Sequence, residues 1–183
     1  ASLEQTGLFG SFGHTQDTNS RLICRKSDGS EEVLLRDEAY GGIYICGDRL
    51  FYQKEYMEWA AVDLDGSNKT TYPDMSIVGA DTKTESIVYV DYEDYGLYVL
   101  QKEKNQKKLA SGETFYLGIY EGKVYYAVLD ETVYTIYGAS LNGSDSQSLG
   151  TISVYQPDSM TGIMIGDVYF EEDGIYIAYG TIG

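Results

Sequence analysis

The chain is poor in the residues on which catalytic and metal sites usually depend. Its 183 residues include one histidine, His14, and two cysteines, Cys24 and Cys46. A structural zinc site uses four Cys or His ligands, more than this chain contains. A histidine acts as a general base only with a nucleophile within reach, and the Gly/Ser/Thr-rich stretch around His14 does not indicate one. No Gly-x-Ser-x-Gly, His-Glu-x-x-His or phosphate-loop motif occurs. We therefore expect no catalytic residue, no metal and no cofactor, and a protein that is not an enzyme.

Positive charge and long apolar runs are also scarce. Lys and Arg total 13 against 29 Asp and Glu, which gives a formal net charge of −16. Such a surface repels nucleic-acid phosphates and anionic lipid, so we expect no nucleic-acid partner. No apolar run approaches the roughly 20 residues that span a bilayer, and no signal peptide is visible, so membrane insertion is not expected. No segment keeps a 3.6-residue period, which predicts almost no helix.

Both cysteines lie in apolar, strand-like runs. Cys24 follows Leu22 and Ile23, and Cys46 follows Ile45. Free cysteine commonly behaves as a small buried hydrophobe, which favours two buried thiols. A disulfide between Cys24 and Cys46 remains the alternative.

Tyrosine and glycine are abundant, and a tyrosine-rich triplet repeats along the chain. The sequence has 19 Tyr and 21 Gly but only 2 Pro. An apolar-aromatic triplet recurs twice at a step of 37 residues and once more after 44, as Leu50-Phe51-Tyr52, Ile87-Val88-Tyr89, Val124-Tyr125-Tyr126 and Val168-Tyr169-Phe170. A period in this range indicates one supersecondary unit stacked several times.

A second marker predicts the internal structure of that unit. The turn tripeptides are Asp28-Gly29-Ser30, Asp65-Gly66-Ser67 and Asn142-Gly143-Ser144. Asp-Gly and Asn-Gly between apolar runs are strong hairpin signals. In the second unit, turns and a polar loop separate four short predicted strands: Gly42–Gly47, Arg49–Lys54, Trp59–Leu64 and Asn68–Tyr72. The same reading gives four strands in each of the next two units and three in the last, Gly162–Ile165, Asp167–Glu171 and Gly174–Tyr179.

Four antiparallel strands in about 40 residues are typical of a propeller blade. One such sheet cannot bury both apolar faces alone, and stacked neighbours bury them. The sequence therefore predicts an all-β, single-domain β-propeller over residues 1–183 with about five blades: three complete, at 42–74, 76–112 and 115–152, and two partial, at 7–40 and 162–183. The alternatives are a segment of a longer propeller and a β-solenoid. An open ring predicts a homodimer that covers the free blade face.

The repeat resembles known propeller families. Arg49-Leu50-Phe51-Tyr52, followed by the run from Ala61 to Lys69, resembles the low-density-lipoprotein-receptor type of repeat, although the Tyr-Trp-Thr-Asp signature is missing. It is more similar to an uncharacterised propeller family common in gut Firmicutes. This resemblance covers about residues 20–180. It implies a secreted or lipid-anchored protein at the bacterial cell surface whose role is interaction, and it carries over no ligand residues.

The loops between the second and third strands of each unit form the predicted binding site. They lie at one end of the blades, and loops on a rigid scaffold commonly carry function. Aromatic side chains beside acids there suit a basic peptide or the ring of a sugar. We predict binding of a protein or peptide, with a glycan as the alternative ligand, through Tyr56, Trp59, Tyr92, Asp94, Tyr95 and Asp130. Trp59 and some of the tyrosines have a competing interpretation as blade core.

Two further patterns suggest a calcium site and a glycosidase site, and the sequence argues against both. Asp63-x-Asp65-Gly66 suggests calcium, but the spacing fails the EF-hand pattern and a hairpin turn explains it. A glycosidase needs acids that meet in the central funnel. The strands predicted to be innermost carry none, and acids only follow them, at Asp48, Asp81, Glu121 and Asp167.

Overall fold

The computed structural model describes residues 21–25, 28–36, 41–55, 57–153 and 162–182, with the backbone alone at 21–25, 31–36, 162–164 and 181–182. This part of the chain is all-β. Its strands are β1 Arg21–Arg25, β2 Glu31–Arg36, β3 Ile43–Cys46, β4 Arg49–Glu55, β5 Glu58–Asp63, β6 Thr70–Pro73, β7 Met75–Asp81, β8 Ser86–Asp91, β9 Leu97–Gln101, β10 Asn105–Ala110, β11 Thr114–Tyr120, β12 Lys123–Asp130, β13 Val133–Ser140, β14 Gln147–Ser153, β15 Gly162–Glu171 and β16 Gly174–Ile182. None of the described residues belongs to a helix that could cross a membrane.

The strands form antiparallel sheets in chain order. Sheet 1 is β1–β2, sheet 2 is β3–β6, sheet 3 is β7–β10, sheet 4 is β11–β14 and sheet 5 is β15–β16. In sheets 2 to 4 each strand pairs with the next one along the chain, as the repeat predicts. The all-β class and the three four-stranded units are confirmed. The Gly-rich stretch 7–13, His14 and Tyr56 lie outside the described residues.

Sheets 2, 3 and 4 stack face to face, and the triplets supply both faces. Phe51 and Trp59 of sheet 2 share a buried cluster with Ile87 and Tyr89 of sheet 3. Val88, between those two residues, points the other way and packs with sheet 4. Successive side chains of a strand alternate between faces, so a strand buried on both faces needs a continuous apolar run.

Paired tyrosines explain much of the high tyrosine content. Tyr89 stacks on Tyr98 and Tyr126 stacks on Tyr137, each pair with ring centroids 5.4 Å apart and an interplanar angle of 15°. Each pair is directly opposite in register, between the second and third strands of its sheet. Cross-strand aromatic pairs are worth roughly 0.2–1 kcal/mol each relative to alanine pairs. The stacked tyrosine pair therefore recurs at the same position in sheets 3 and 4, together with the strand pattern.

The first strands of sheets 2 to 5 lie side by side. β7 contacts β3 on one side and β11 on the other, and β11 contacts β15. Two glycines at β-bulges permit this close approach. A Cβ at Gly79 would lie 2.1 Å from the hydroxyl of Tyr116, and one at Gly118 would lie 2.5 Å from the ring of Phe170. The first strands thus form one continuous edge of the stack.

The last unit differs from its prediction. Gly162–Ile165 and Asp167–Glu171 were expected as two strands joined by a turn, but they form one strand, β15, with a bulge between Ile165 and Val168. Phe170 stacks on Tyr120 of β11, so the fourth triplet occupies the first-strand position and not the second. Gly166-Asp167 therefore bulges instead of turning, and β16 follows in the second-strand position.

The turn tripeptides form the predicted hairpins. Oδ1 of Asp65 accepts hydrogen bonds from the Ser67 amide at 2.9 Å and the Ser67 hydroxyl at 2.6 Å, and Gly66 has a φ of +83°. Asp28 and Ser30 make the same pair of bonds. The hairpin between β5 and β6 is confirmed, and its hydrogen bonds lower the pKa of the Asp65 carboxyl.

Cys46 carries a free, buried thiol between sheets 2 and 3. Its Sγ donates toward the carbonyl oxygen of Asp81 at 3.8 Å. Burial, together with the charges of Asp81 and other acids, raises the pKa of the Cys46 thiol to about 12. The side chain of Cys24 lies outside the described residues.

Cys46 is expected to resist thiol reagents in the folded protein. Thiol reagents attack the thiolate, and a buried thiol with this pKa supplies almost none at pH 8. A Cys24→Ser variant isolates Cys46, and its reaction with Ellman's reagent should be negligible in buffer and stoichiometric in guanidinium chloride. Rapid reaction in buffer would mean that sheets 2 and 3 do not cover this thiol.

Candidate functional site

The loops between the second and third strands lie at one end of the stack, which we call the loop face. Its described residues are Glu55, Met57 and Glu58, Asp91 to Leu97 and Asp130 to Val133, together with the segments that lead into β7 and β11. Those segments are hydrogen-bonded to the loops. The amide of Tyr92 donates to the carbonyl of Asp74 at 2.8 Å, and the amide of Leu129 donates to the carbonyl of Glu113 at 2.9 Å. The amide of Met75 also donates to the carbonyl of Met57 at 3.2 Å, which connects the loop of sheet 2 to the segment that leads into β7 of sheet 3.

Tyr95 is a strongly exposed residue of the predicted site. Its side chain is 65% exposed, and its backbone has a φ of +53°. A tyrosine in the left-handed region is uncommon, because the Cβ crowds the neighbouring carbonyl. The exposed ring is available for contact with a partner. Tyr92, in the same loop, is half-buried.

Asp94 positions the Tyr95 loop. Its carboxylate accepts bonds from the amide of Gly96 at 2.8 Å and the hydroxyl of Tyr98 at 2.7 Å, and it lies 2.7 Å from Nζ of Lys108. The bonds from Lys108, Tyr98 and Gly96 lower the pKa of the Asp94 carboxyl to about 2. Because its carboxylate is already bonded to these partners, Asp94 stabilises the loop conformation and is less available to a ligand.

Trp59 and Asp130 have different environments. Trp59 is 3% exposed and packs in the core between sheets 2 and 3, with Tyr44 as a ring neighbour at 5.8 Å. It cannot stack on a ligand in this conformation, and the core interpretation of this residue holds. Asp130 is exposed at the end of β12, opposite Val133. The structure therefore brings Tyr92, Asp94, Tyr95 and Asp130 to the loop face and leaves Trp59 inside.

The loop face is strongly acidic. Lys54 and Lys108, which lie at this face, are both ion-paired: Lys54 with Glu58 and Lys108 with Asp94, each at 2.7 Å. Its acids are Glu55, Glu58, Asp74, Asp91, Glu93, Asp94, Glu113, Asp130 and Glu131. Sequence reasoning identified the loops but missed Asp74 and Glu113, because they precede first strands and only the fold brings them to this end.

At the opposite end, acids take part in turn geometry. The structure extends β7 to Asp81, so the prediction that the first strands carry no acid is wrong for this strand. The Asp81 carboxylate accepts bonds from the amide and hydroxyl of Thr84 at 2.9 and 2.6 Å. Likewise β15 includes Asp167 and Glu171. Within the described residues no three His, Cys, Asp or Glu side chains come close enough to hold a metal ion.

Comparison with known proteins does not assign the chain to a family. No protein-family model matches it, and no curated protein matches it either.

Proposed function

We propose that this chain is a propeller-type, non-enzymatic binding module at the bacterial cell surface that recognises a basic protein or peptide through the loop face. The observation that carries the proposal is an exposed tyrosine, Tyr95, within an acidic loop surface on which Lys54 and Lys108 are already paired with acids. Charge of one sign on a broad surface steers and selects partners of the opposite sign. An exposed tyrosine supplies apolar contact and a hydroxyl at one point.

The propeller architecture is part of this proposal. Adjacent first strands, strand order that follows the chain and face-to-face packing of sheets 2, 3 and 4 all support blades arranged around an axis. On this interpretation the first strands are innermost and the loop face is one end of the propeller. The count stays at three complete and two partial blades.

The loop face suits a basic protein better than a sugar. Sugar rings bind to several coplanar exposed aromatics, whereas Trp59 is buried and Tyr92 is half-buried here. A hydrolase is the least favoured alternative, since the Asp81 carboxylate is bonded within a turn. The location at a bacterial surface depends on the resemblance of the repeat alone.

Charge reversal on the loop face is expected to weaken binding of a basic probe. The probe is a decalysine peptide, measured by isothermal titration calorimetry at low and at physiological salt. The variant Asp130→Lys with Glu131→Lys should raise the dissociation constant about tenfold or more, and Tyr95→Ala should raise it about tenfold, which is ~1.4 kcal/mol. The salt dependence of the charge-reversed variant should also be shallower.

The matched control carries the same charge change at the opposite end. Asp48→Lys with Glu121→Lys alters exposed acids in turns between first and second strands. If this control weakens decalysine binding as much as the loop-face variant, the effect belongs to net charge and the loop face is not the site. Unchanged binding by Tyr95→Ala would remove the tyrosine from the proposal.

A further inference from the structure

Sheet 5 is half a sheet. Sheets 2 to 4 have four strands each, whereas sheet 5 consists of β15 and β16. β15 occupies the first-strand position beside β11, and β16 the second. Among the described residues β16 therefore has a strand on one edge only, and the third and fourth positions of its sheet are vacant. An unpaired edge presents a row of amides and carbonyls to any strand that can pair with it.

The vacant positions open onto an apolar groove. It has a volume of about 830 Å³ and lies between the outer strands of sheet 4 and β16. Ile136, Leu149 and Ile152 line one wall, and Ile175 and Ile177 line the other. Leu149 is 46% exposed there. Between sheets 3 and 4 the corresponding space is filled, because Ala139 of β13, the third strand of sheet 4, packs against Leu97 and Val99 of sheet 3 in the shared cluster.

The outward face of sheet 5 is uncovered as well. Tyr169 and Tyr176 lie opposite each other in register and are 61% and 52% exposed. Tyr176 lies on a second strand, as Phe51 and Val88 do in sheets 2 and 3, where the following sheet buries both residues. Clustered exposed apolar side chains beside an unpaired edge are typical of an interaction surface.

Sheet 1 is the complementary half. Its β1–β2 turn is Asp28-Gly29-Ser30, with the same carboxylate-to-serine bonds as the turn between the third and fourth strands of sheet 2. Sheet 1 thus corresponds to the third and fourth strands of a sheet, whereas sheet 5 corresponds to the first and second. Within the described residues the two pairs belong to separate sheets.

We propose that β1–β2 of one copy adds to β16 of a second copy and completes a four-stranded sheet, so that the chain assembles head to tail. The groove beside Leu149 receives the apolar side of the incoming pair, and the backbone of β1 pairs with β16. An interface between two different surfaces of one chain is heterologous, and it produces a ring or an open array. The proposal does not depend on what the loop face binds.

The first test is the solution mass by light scattering over a concentration series. The wild-type mass should rise above 20.4 kDa with concentration. Leu149→Glu places a charge in the groove and should raise the dissociation constant for assembly by about tenfold or more. The matched control is Leu64→Glu, because Leu64 is 45% exposed and lies outside the groove. A wild-type chain of 20.4 kDa at every concentration, or equal effects of the two variants, would overturn the proposal.

The second test identifies which β1–β2 pair fills the groove. Ala178 is exposed on β16, and an Ala178→Cys variant with Cys46→Ala leaves thiols on β16 and at Cys24 on β1. A short thiol-to-thiol cross-linker should produce covalent dimers and larger species on a denaturing gel. A cross-link within one chain would mean that the chain's own β1–β2 fills the groove, and absence of any cross-link would mean that β1 does not pair with β16. Either result contradicts assembly between copies.

Discussion

Replacing Phe51 by alanine is expected to lower the free energy of unfolding by about 3–5 kcal/mol, since a buried phenylalanine is lost and a cavity is left behind. Phe51 is 1% exposed and packs between sheets 2 and 3. Single domains are stable by only about 5–15 kcal/mol, so the loss is a large part of the total. Urea unfolding followed by fluorescence measures it directly, because the single tryptophan, Trp59, is buried in the same cluster.

The control for this measurement is Tyr95→Ala. Tyr95 is exposed and belongs to none of the four buried clusters found in the described residues. Its replacement should change the free energy of unfolding by no more than about 0.5 kcal/mol. A small effect of Phe51→Ala would contradict face-to-face burial of the two sheets.

Arg49→Met is expected to destabilise the protein by about 2–3 kcal/mol, the usual range for hydrogen bonds to charged groups that leave partners unsatisfied. The guanidinium bridges sheets 2 and 3. Its Nη2 donates to the carbonyls of Ala61 at 3.0 Å and Asn68 at 2.5 Å, its Nε lies 3.2 Å from Asp63, and it pairs with Glu103 of sheet 3. Tyr72 also donates to Glu103, and burial raises the pKa of its hydroxyl.

Lys54→Met is the matched control, because Lys54 lies on the same strand and its ion pair is with a residue of the same sheet. Its partner, Glu58, is at 2.7 Å, and both side chains are about one-third exposed, at 32% and 28%. Exposed pairs of this kind contribute about 0.2–1 kcal/mol. The free energies of unfolding of both variants are measured in urea at low and at high salt. Equal losses would show that Arg49 acts as an ordinary surface ion pair and does not connect the sheets.

Local signals account for what could be predicted of the fold. The Asp-Gly-Ser tripeptides need only their own residues to form a turn, since the Asp side chain bonds two positions ahead and Gly accepts positive φ. The first two triplets mark strands buried on both faces. The same logic failed at Gly166-Asp167, where the pattern indicates a turn but packing of Phe170 on Tyr120 favours one bulged strand.

The sequence predicted which loops form the candidate site, but it did not predict the contacts of individual side chains there. Tyr95 and Asp130 are exposed as expected, whereas Trp59 lies in the core although it sits next to the same type of loop. Its position on β5 directs it toward sheet 3, and the direction of a side chain depends on strand register. Lys108 lies 14 residues from Asp94 in sequence, so their ion pair depends on the pairing of β9 with β10.

The sequence by itself determined the all-β class, the four-stranded unit and the acidic character of the surface, because periodicity, turn chemistry and charge are properties of neighbouring residues. Only the tertiary structure decided which triplet side chains meet across sheets, which acids gather on the loop face and which strand edge is vacant. These depend on register and on stacking between residues far apart in the chain. At Gly166 the chain continues as one bulged strand, β15, and this outcome depends on packing of Phe170 against Tyr120 of the neighbouring sheet.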